Sequence, residues 1–239
     1  MNPTFMLGGE LEVRRLGFGS MRIVSDREEG VRVVRRAVEL GVNFIDTADI
    51  YGAGRSEEIV AEALHPYPDG LVITTKGGLG WGLQDRIRDG RPEHLREACD
   101  ASLRRLKLER IDLYQLHRHD PEVPIEESIG ALVELQREGK IRMIGVSNFS
   151  VSQLRKAQAV TTIVSVQNQF NRGLATSEDV LDVCTEESIA FMPWAPLGEG
   201  LTRGAAYEVR WLLDRSPVII PIPGTSSVEH LEDTMLAVA

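Results

Sequence analysis

Four side chains of complementary acid–base character stand out in this 239-residue chain: Asp46, Tyr51, Lys76 and His117. A phenol is a poor acid, with a reference pKa of about 10. An ammonium group beside it stabilises the phenolate and lowers that value, and a carboxylate beside the ammonium keeps it charged and in place. Tyr51 could then protonate a carbonyl oxygen as hydride reaches the carbonyl carbon, with His117 hydrogen-bonding the same oxygen and orienting the substrate. General acid catalysis of this kind contributes typically about 10² to 10⁴ in rate. No side chain can supply a hydride, so the chemistry requires a cofactor.

The four residues are far apart in sequence, and the elements between them explain how they could meet. Residues 5–15 read as a β-hairpin. Strands then alternate with helices: strands over residues 16–21, 43–47, 71–75, 111–117, 141–147, 163–167, 190–194 and 218–222, helices over 27–40, 57–64, 92–106, 124–139, 151–159, 178–187, 205–213 and 228–238. The first helix shows a capping-box pattern, Ser25 with Glu28, and ends at Gly41; the third is entered by Pro92. Eight β/α units in strict alternation imply a parallel sheet, and the length is close to the roughly 250 residues of a (β/α)8 TIM barrel. The expectation is an α/β fold, one barrel domain over residues 1–239 behind a short hairpin. A doubly wound sheet would want a third glycine after Gly17-Phe18-Gly19. Barrels carry their chemistry at the C-terminal ends of the strands, which here hold Asp46, Lys76, His117, Ser147 with Asn148, Gln167 and Trp194.

Composition narrows the class. The net charge is −9, and no basic cluster with interleaved aromatics offers a nucleic acid the positive groove it needs. No apolar run is long enough to cross a membrane, and no signal-peptide core is visible at the start. Cys99 and Cys184 form no CxxC pair and read as buried thiols in a reducing compartment. A cytoplasmic, soluble protein acting on a small molecule is expected, with monomer as the default. His117 and His119 make an H-x-H pair, but no further ligand stands at a telling spacing, so no metal is expected.

Seven blocks, in order and over nearly the whole chain, resemble the aldo-keto reductases: GVNFIDTADIYG (41–52), TTKGG (74–78), DLYQLHRHD (112–120), GVSNFS (145–150), VQNQF (166–170), PWAPLGEG (193–200) and IPGTSSVEHLEDT (222–234). The resemblance implies Tyr51 as proton donor supported by Lys76, Asp46 and His117, and NADPH as the hydride source. It also implies that Ser147, Asn148 and Gln167 hydrogen-bond the nicotinamide carboxamide and that Trp194 stacks on the ring. Gly19, Ser20 and Met21 would run along the cofactor beside Asp46. Pro196, Leu197 and Gly198 would lie along the pyrophosphate, and Gly224, Thr225, Ser226, Ser227 and His230 would hold the adenosine 2′-phosphate, where a helix N-terminus suits an anion.

The chain departs from the family pattern in four places. Gly200 to Gly204 replaces a long segment that usually covers the cofactor, so faster cofactor release is expected. His230 stands where a guanidinium often grips the 2′-phosphate; imidazole is only partly charged near pH 7, which leaves NADH possible. Asp233-Thr234 replaces the usual Glu-Asn pair near the adenine. The chain stops at Ala239 without the long tail that narrows many family pockets, so an open mouth is expected, walled by Ile23 and Trp81 together with Tyr51 and His117. Two alternatives belong to other classes. One is a non-catalytic NADP(H)-binding regulatory subunit resembling potassium-channel β subunits; the other is a Schiff-base enzyme using Lys76, which would need a neutral amine where Asp46 favours a charged one.

Overall fold

Strand residues with alternating inward and outward faces build the interior here, and amphipathic helices cover it. The structure is a computed structural model describing residues 3–81, 86–198 and 204–238, without the side chains of Trp81 and Arg86. It opens with an antiparallel hairpin, β1 (Thr4–Leu7) and β2 (Leu11–Arg14). Seven parallel strands follow: β3 (Phe18–Gly19), β4 (Phe44–Asp46), β5 (Val72–Gly77), β8 (Ile111–Leu116), β9 (Ile141–Ser147), β10 (Ser165–Gln167) and β11 (Ala190–Phe191). They pair in the order β11-β10-β9-β8-β5-β4-β3. Between them run α1 (Arg27–Glu39), α2 (Arg55–Leu64), α3 (Pro92–Leu106), α4 (Ile125–Arg137), α5 (Val151–Gln158) and α6 (Glu178–Glu186), followed by α7 (Ala205–Arg215) and α8 (Val228–Met235). A second hairpin, β6 (Leu79–Trp81) with β7 (Arg86–Arg88), extends from the end of β5.

The barrel closes through residues 218–223. Phe191 N donates to Val218 O and Ile220 N to Phe191 O, both at 2.9 Å, on one side. On the other, Gly17 N donates to Pro221 O and Gly19 N to Pro223 O, both at 3.0 Å. The eighth strand expected at 218–222 is present only as a bridge between Phe191 and Ile219. Pro221 and Pro223 have no N–H to return to β3, so the ladder along this seam runs one way. With that seam joined, the molecule is a (β/α)8 barrel.

The first hairpin covers the N-terminal end. Leu7 and Val13 pack with Phe44, Val72, Leu113 and Met143 in one buried cluster. Asn43, at the foot of β4, accepts from Arg14 N at 2.7 Å and donates to Glu12 O at 2.9 Å. Arg15 runs into the core, where its guanidinium donates to the carbonyls of Leu213, Ser216 and Ile219. That contact ties the entry of β3 to the end of α7. The larger cluster lies between strands and helices, with Ile45, Ile73, Tyr114, Ile144 and Val166 facing outward beneath them.

Two local expectations differ from the structure. The first helix is capped by Asp26, which accepts from Glu29 N at 3.0 Å, and not by Ser25. Ser25 closes a 3-10 turn (Met21–Val24) with helical dihedrals, so it cannot adopt the extended conformation an N-cap needs. Ile23, expected in the substrate wall, is turned inward by the same 3-10 turn and is fully buried against α1 and α2. Exposed Met21 and Arg22 face the cleft instead.

Candidate active site

Residues two apart on a strand share a face. That alternation puts Phe44 and Asp46, Val72, Thr74 and Lys76, Leu113, Gln115 and His117, Met143 and Ser147, and Ser165 and Gln167 on the inner face, with the last of each set at the C-terminal rim. A cleft of about 340 Å³ opens there, and Asp46, Tyr51, His117, Ser147, Asn148 and Gln167 line it.

Lys76 is fully buried. Its Nζ donates to Asp46 Oδ2 at 2.8 Å, to Thr47 O at 2.7 Å and to the Tyr51 hydroxyl at 3.3 Å. The other Asp46 oxygen accepts from Gln167 Nε2 at 2.8 Å. Burial pushes the Asp46 carboxyl up, opposed by Lys76, Gln167 and Gln115. Burial also works against the Lys76 ammonium, but Asp46 and Tyr51 outweigh it and hold the group above its ordinary value. Both Asp46 oxygens receive N–H donors, as a carboxylate accepts them. The pair is therefore ionic. The Tyr51 and His117 rings meet edge to face, with centroids 5.9 Å apart.

Asn148 braces the neighbouring wall from a left-handed conformation, φ +60°, that asparagine tolerates better than most residues. Its Nδ2 donates to His117 O at 3.2 Å and to Ser147 Oγ at 2.9 Å, and its Oδ1 accepts from Trp194 Nε1 at 3.1 Å. Ser147 Oγ donates to Gln167 O at 2.9 Å. Both amide hydrogens of Asn148 are thus committed within the protein, and only Oδ1 retains a lone pair for a ligand. Gln167 keeps Oε1 as an acceptor, since its amide nitrogen is held by Asp46. Trp194 is half-buried, its ring orientation fixed by the Asn148 contact.

Gly19, Met21, Pro196, Leu197, Gly198 and Gly224 also line the cleft. Gly19 and Gly224 are required by the seam: a Cβ on Gly19 would lie 2.6 Å from Ile222 O, and one on Gly224 2.5 Å from Gly19 O. Ser20 is buried and bonds Asp46 O and Ser56 Oγ, so its hydroxyl faces the wall and not the cleft. Thr225, Ser226, Ser227 and His230 lie beyond the cleft lining, at the start of α8. Ser227 caps that helix by accepting from His230 N at 3.4 Å, Thr225 Oγ1 accepts from Ser227 N at 3.1 Å, and His230 is exposed. Thr234 is buried with its hydroxyl on His230 O at 2.8 Å, facing into its own helix. The side chain of Trp81 lies outside the described residues.

The cleft also contains residues that the sequence reading passed over. Arg22, Arg118, Ala195, Ile222 and Pro223 line it. Asn168 clamps the turn after β9 by accepting from Phe149 N at 3.0 Å and donating to Phe149 O at 2.8 Å. Arg118 was legible as the neighbour of His117, and Asn168 as the polar residue between two others in VQNQF.

Residues 15–209 match the family model described as the aldo/keto reductase family. The chain belongs to that family. It is 41% identical to an uncharacterised oxidoreductase of Schizosaccharomyces pombe, over 96% of this chain and 83% of the relative. It is 37% identical to pyridoxine 4-dehydrogenase of Escherichia coli, over 98% of this chain and 92% of that one. Among solved structures it superimposes on the glycerol dehydrogenase of Gluconobacter oxydans with a TM-score of 0.91 at 28% identity, covering 100% of this chain and 91% of that one. An aldo/keto reductase from Klebsiella pneumoniae in complex with NADP and acetate matches with a TM-score of 0.83 at 26% identity, over 99% and 90% of the two chains. This aldo-keto reductase is an oxidoreductase, and none of its described helices is long and apolar enough to cross a membrane.

Proposed function

We propose that this aldo-keto reductase reduces an aldehyde or ketone with NADPH, using Tyr51 as proton donor and Lys76, Asp46 and His117 in support. One observation carries the reading. An ammonium has three N–H donors and no acceptor, and all three on Lys76 are used, one of them on the Tyr51 oxygen. Tyr51 therefore accepts from Lys76, and its own hydrogen points away from the ammonium. The ammonium stabilises the phenolate left when that hydrogen is given up, and Asp46 keeps the ammonium charged. His117 stands against the same phenol and lines the same space, where its imidazole would hold the carbonyl oxygen.

The residues present fit a nicotinamide dinucleotide. Gln167 Oε1 and Asn148 Oδ1 remain as acceptors for a carboxamide, Trp194 offers a fixed indole, and Gly198 and Gly224 line the cleft where a phosphate would pass. Bound there, NADPH supplies the hydride. The structural relatives bound to NADP and NADPH support the phosphorylated form. His230, exposed on the first turn of α8, is the candidate contact for the 2′-phosphate.

The test is NADPH and NADH oxidation, followed by absorbance, over a panel of aldehydes and ketones. NADPH should be consumed, and Tyr51→Phe should lose nearly all turnover while retaining cofactor affinity. Full turnover in Tyr51→Phe would remove the phenol from the proposed role.

A further inference from the structure

The charges on the cleft wall do not balance. Among the described residues Asp46 is the only carboxylate lining it, and Lys76 and Gln167 already engage it. Arg22 and Arg118 line the same space, and neither has an ion-pair partner among the described residues. Arg118 is half-buried. The groups acting on it are burial and a second cation, Arg88, and together they pull its guanidinium below the ordinary value. In a chain of net charge −9, a partly desolvated, unpaired guanidinium beside a reaction space is costly to maintain and calls for an anion.

The position of Arg118 indicates which anion. It directly follows His117 at the end of β8, the fourth strand of the ring. The residues assigned to cofactor phosphates, 196–198 and 224–227, follow the seventh and eighth strands. In a closed ring of eight, the fourth and eighth strands are diametrically opposed, so a phosphate held at the β3 seam is across the mouth from Arg118. The carbonyl end of the site, bounded by Tyr51 and His117, is adjacent to it. Arg22, next to the seam, can serve either ligand.

We infer that the preferred substrate is a small carbonyl compound carrying an oxyanion, a carboxylate or a phosphate, a few atoms from the reacting carbonyl, and that Arg118 grips that group. This deepens the reductase reading and rests on it. Arg118 is thus a specificity-determining residue: a neutral substrate leaves its guanidinium unpaired, whereas an anionic one completes a charge-assisted hydrogen bond.

Matched pairs test this: 4-carboxybenzaldehyde against its methyl ester, and glyceraldehyde 3-phosphate against glyceraldehyde, each at saturating NADPH. The intact protein should favour the anionic member of at least one pair in kcat/KM. Arg118→Gln should lower the anionic-to-neutral ratio for that pair by about tenfold or more, a size expected for hydrogen bonds to charged groups. Arg118→Lys should keep part of the preference, and added salt should shrink it. The phosphate pair separates phosphate from carboxylate. A ratio unchanged by Arg118→Gln would overturn the inference, as would a loss confined to NADPH affinity. If no carbonyl consumes NADPH, the reductase reading fails separately. Calorimetric benzoate binding to the NADP-loaded protein still decides the anion site, since Arg118→Gln must weaken it about tenfold.

Discussion

Replacing Asp49 by asparagine should make this protein more stable, and increasingly so as pH rises. Asp49 lies in the loop between β4 and α2, with Oδ1 buried and without a hydrogen-bond partner. Burial and the neighbouring Glu57 push its carboxyl up from 3.8 to about 7, against the Ile50 backbone, Arg105 and Lys76. The folded value is raised above the unfolded one, so between about pH 4 and 7 the folded protein retains a proton that the unfolded chain has released. Stability therefore falls as pH rises through that window and levels off above it. About three pKa units at 1.36 kcal/mol each give a loss of about 4 kcal/mol, more than a third of it spent by pH 5. Asparagine has nearly the same shape and does not titrate. The stability advantage of Asp49→Asn over the parent should thus grow by about 2–3 kcal/mol between pH 5 and pH 8, measured by urea unfolding. In melting temperature the growth is roughly 4–12 °C for a chain of this size. Comparing the two pH values cancels any pH-independent effect of the amide. An advantage that is the same at both would mean that Asp49 titrates like an ordinary carboxylate, and the burial argument would be wrong.

Two further substitutions follow from the same structure. Arg105→Leu strands the fully buried Glu57, whose Oε2 accepts from Arg105 at 2.6 Å while Oε1 accepts from Thr75 at the same distance. Loss of one partner of such a pair costs about 3–5 kcal/mol; adding Glu57→Gln should recover part of it in the same denaturation assay, and a full loss in the double variant would contradict the pairing. Gly224→Ala forces a Cβ to within 2.5 Å of Gly19 O, so it should cost about 1–3 kcal/mol through overpacking and raise the Kd for NADPH. Gly130→Ala, in α4 with open space around it, is the control and should be neutral or stabilising by up to about 1 kcal/mol; equal effects at the two sites would dismiss the seam argument.

Much of the fold was legible because its signals are local. Pro92 at the first helical position fixed the start of α3, and the apolar run Ile141–Ser147 fixed β9, both to the residue. Elsewhere a neighbouring element overrode the local signal. Ser25 and Asp26 are both good caps, and only the preceding 3-10 turn, which takes Ser25, decides between them. The same turn sends Ile23 into the core, something no pattern around Ile23 reveals. The eighth strand reads as a full strand from Val218 to Ile222, yet its prolines limit it to a one-sided ladder. The β6–β7 hairpin carries no turn signal strong enough to have been read.

The candidate site was legible for a different reason. Strand residues facing the interior of a barrel are ordinarily apolar, and the lower part of this interior obeys that rule with Phe44, Val72, Leu113 and Met143. One layer up it breaks: Thr74, Gln115 and Ser165 are buried, with Gln115 Nε2 on Thr74 Oγ1 at 3.1 Å and Ser165 Oγ on Gln115 Oε1 at 3.4 Å. Gly145 completes that layer because a Cβ there would come within 2.1 Å of Ser165 Oγ. Above it stand Asp46, Lys76, Ser147 and Gln167, all nearly or fully buried. A buried ion pair gains little stability against an apolar substitute, so five consecutive strands placing polar groups on the inner face cannot be explained by folding alone. Dipoles in the middle layer, Gln115 among them, instead hold a carboxylate and an ammonium charged where water is scarce. That is the condition under which a fixed ammonium acts most strongly on the phenol beside it. Violations of the inside-apolar pattern, read strand by strand, were therefore the part of the sequence that pointed most directly at the candidate site.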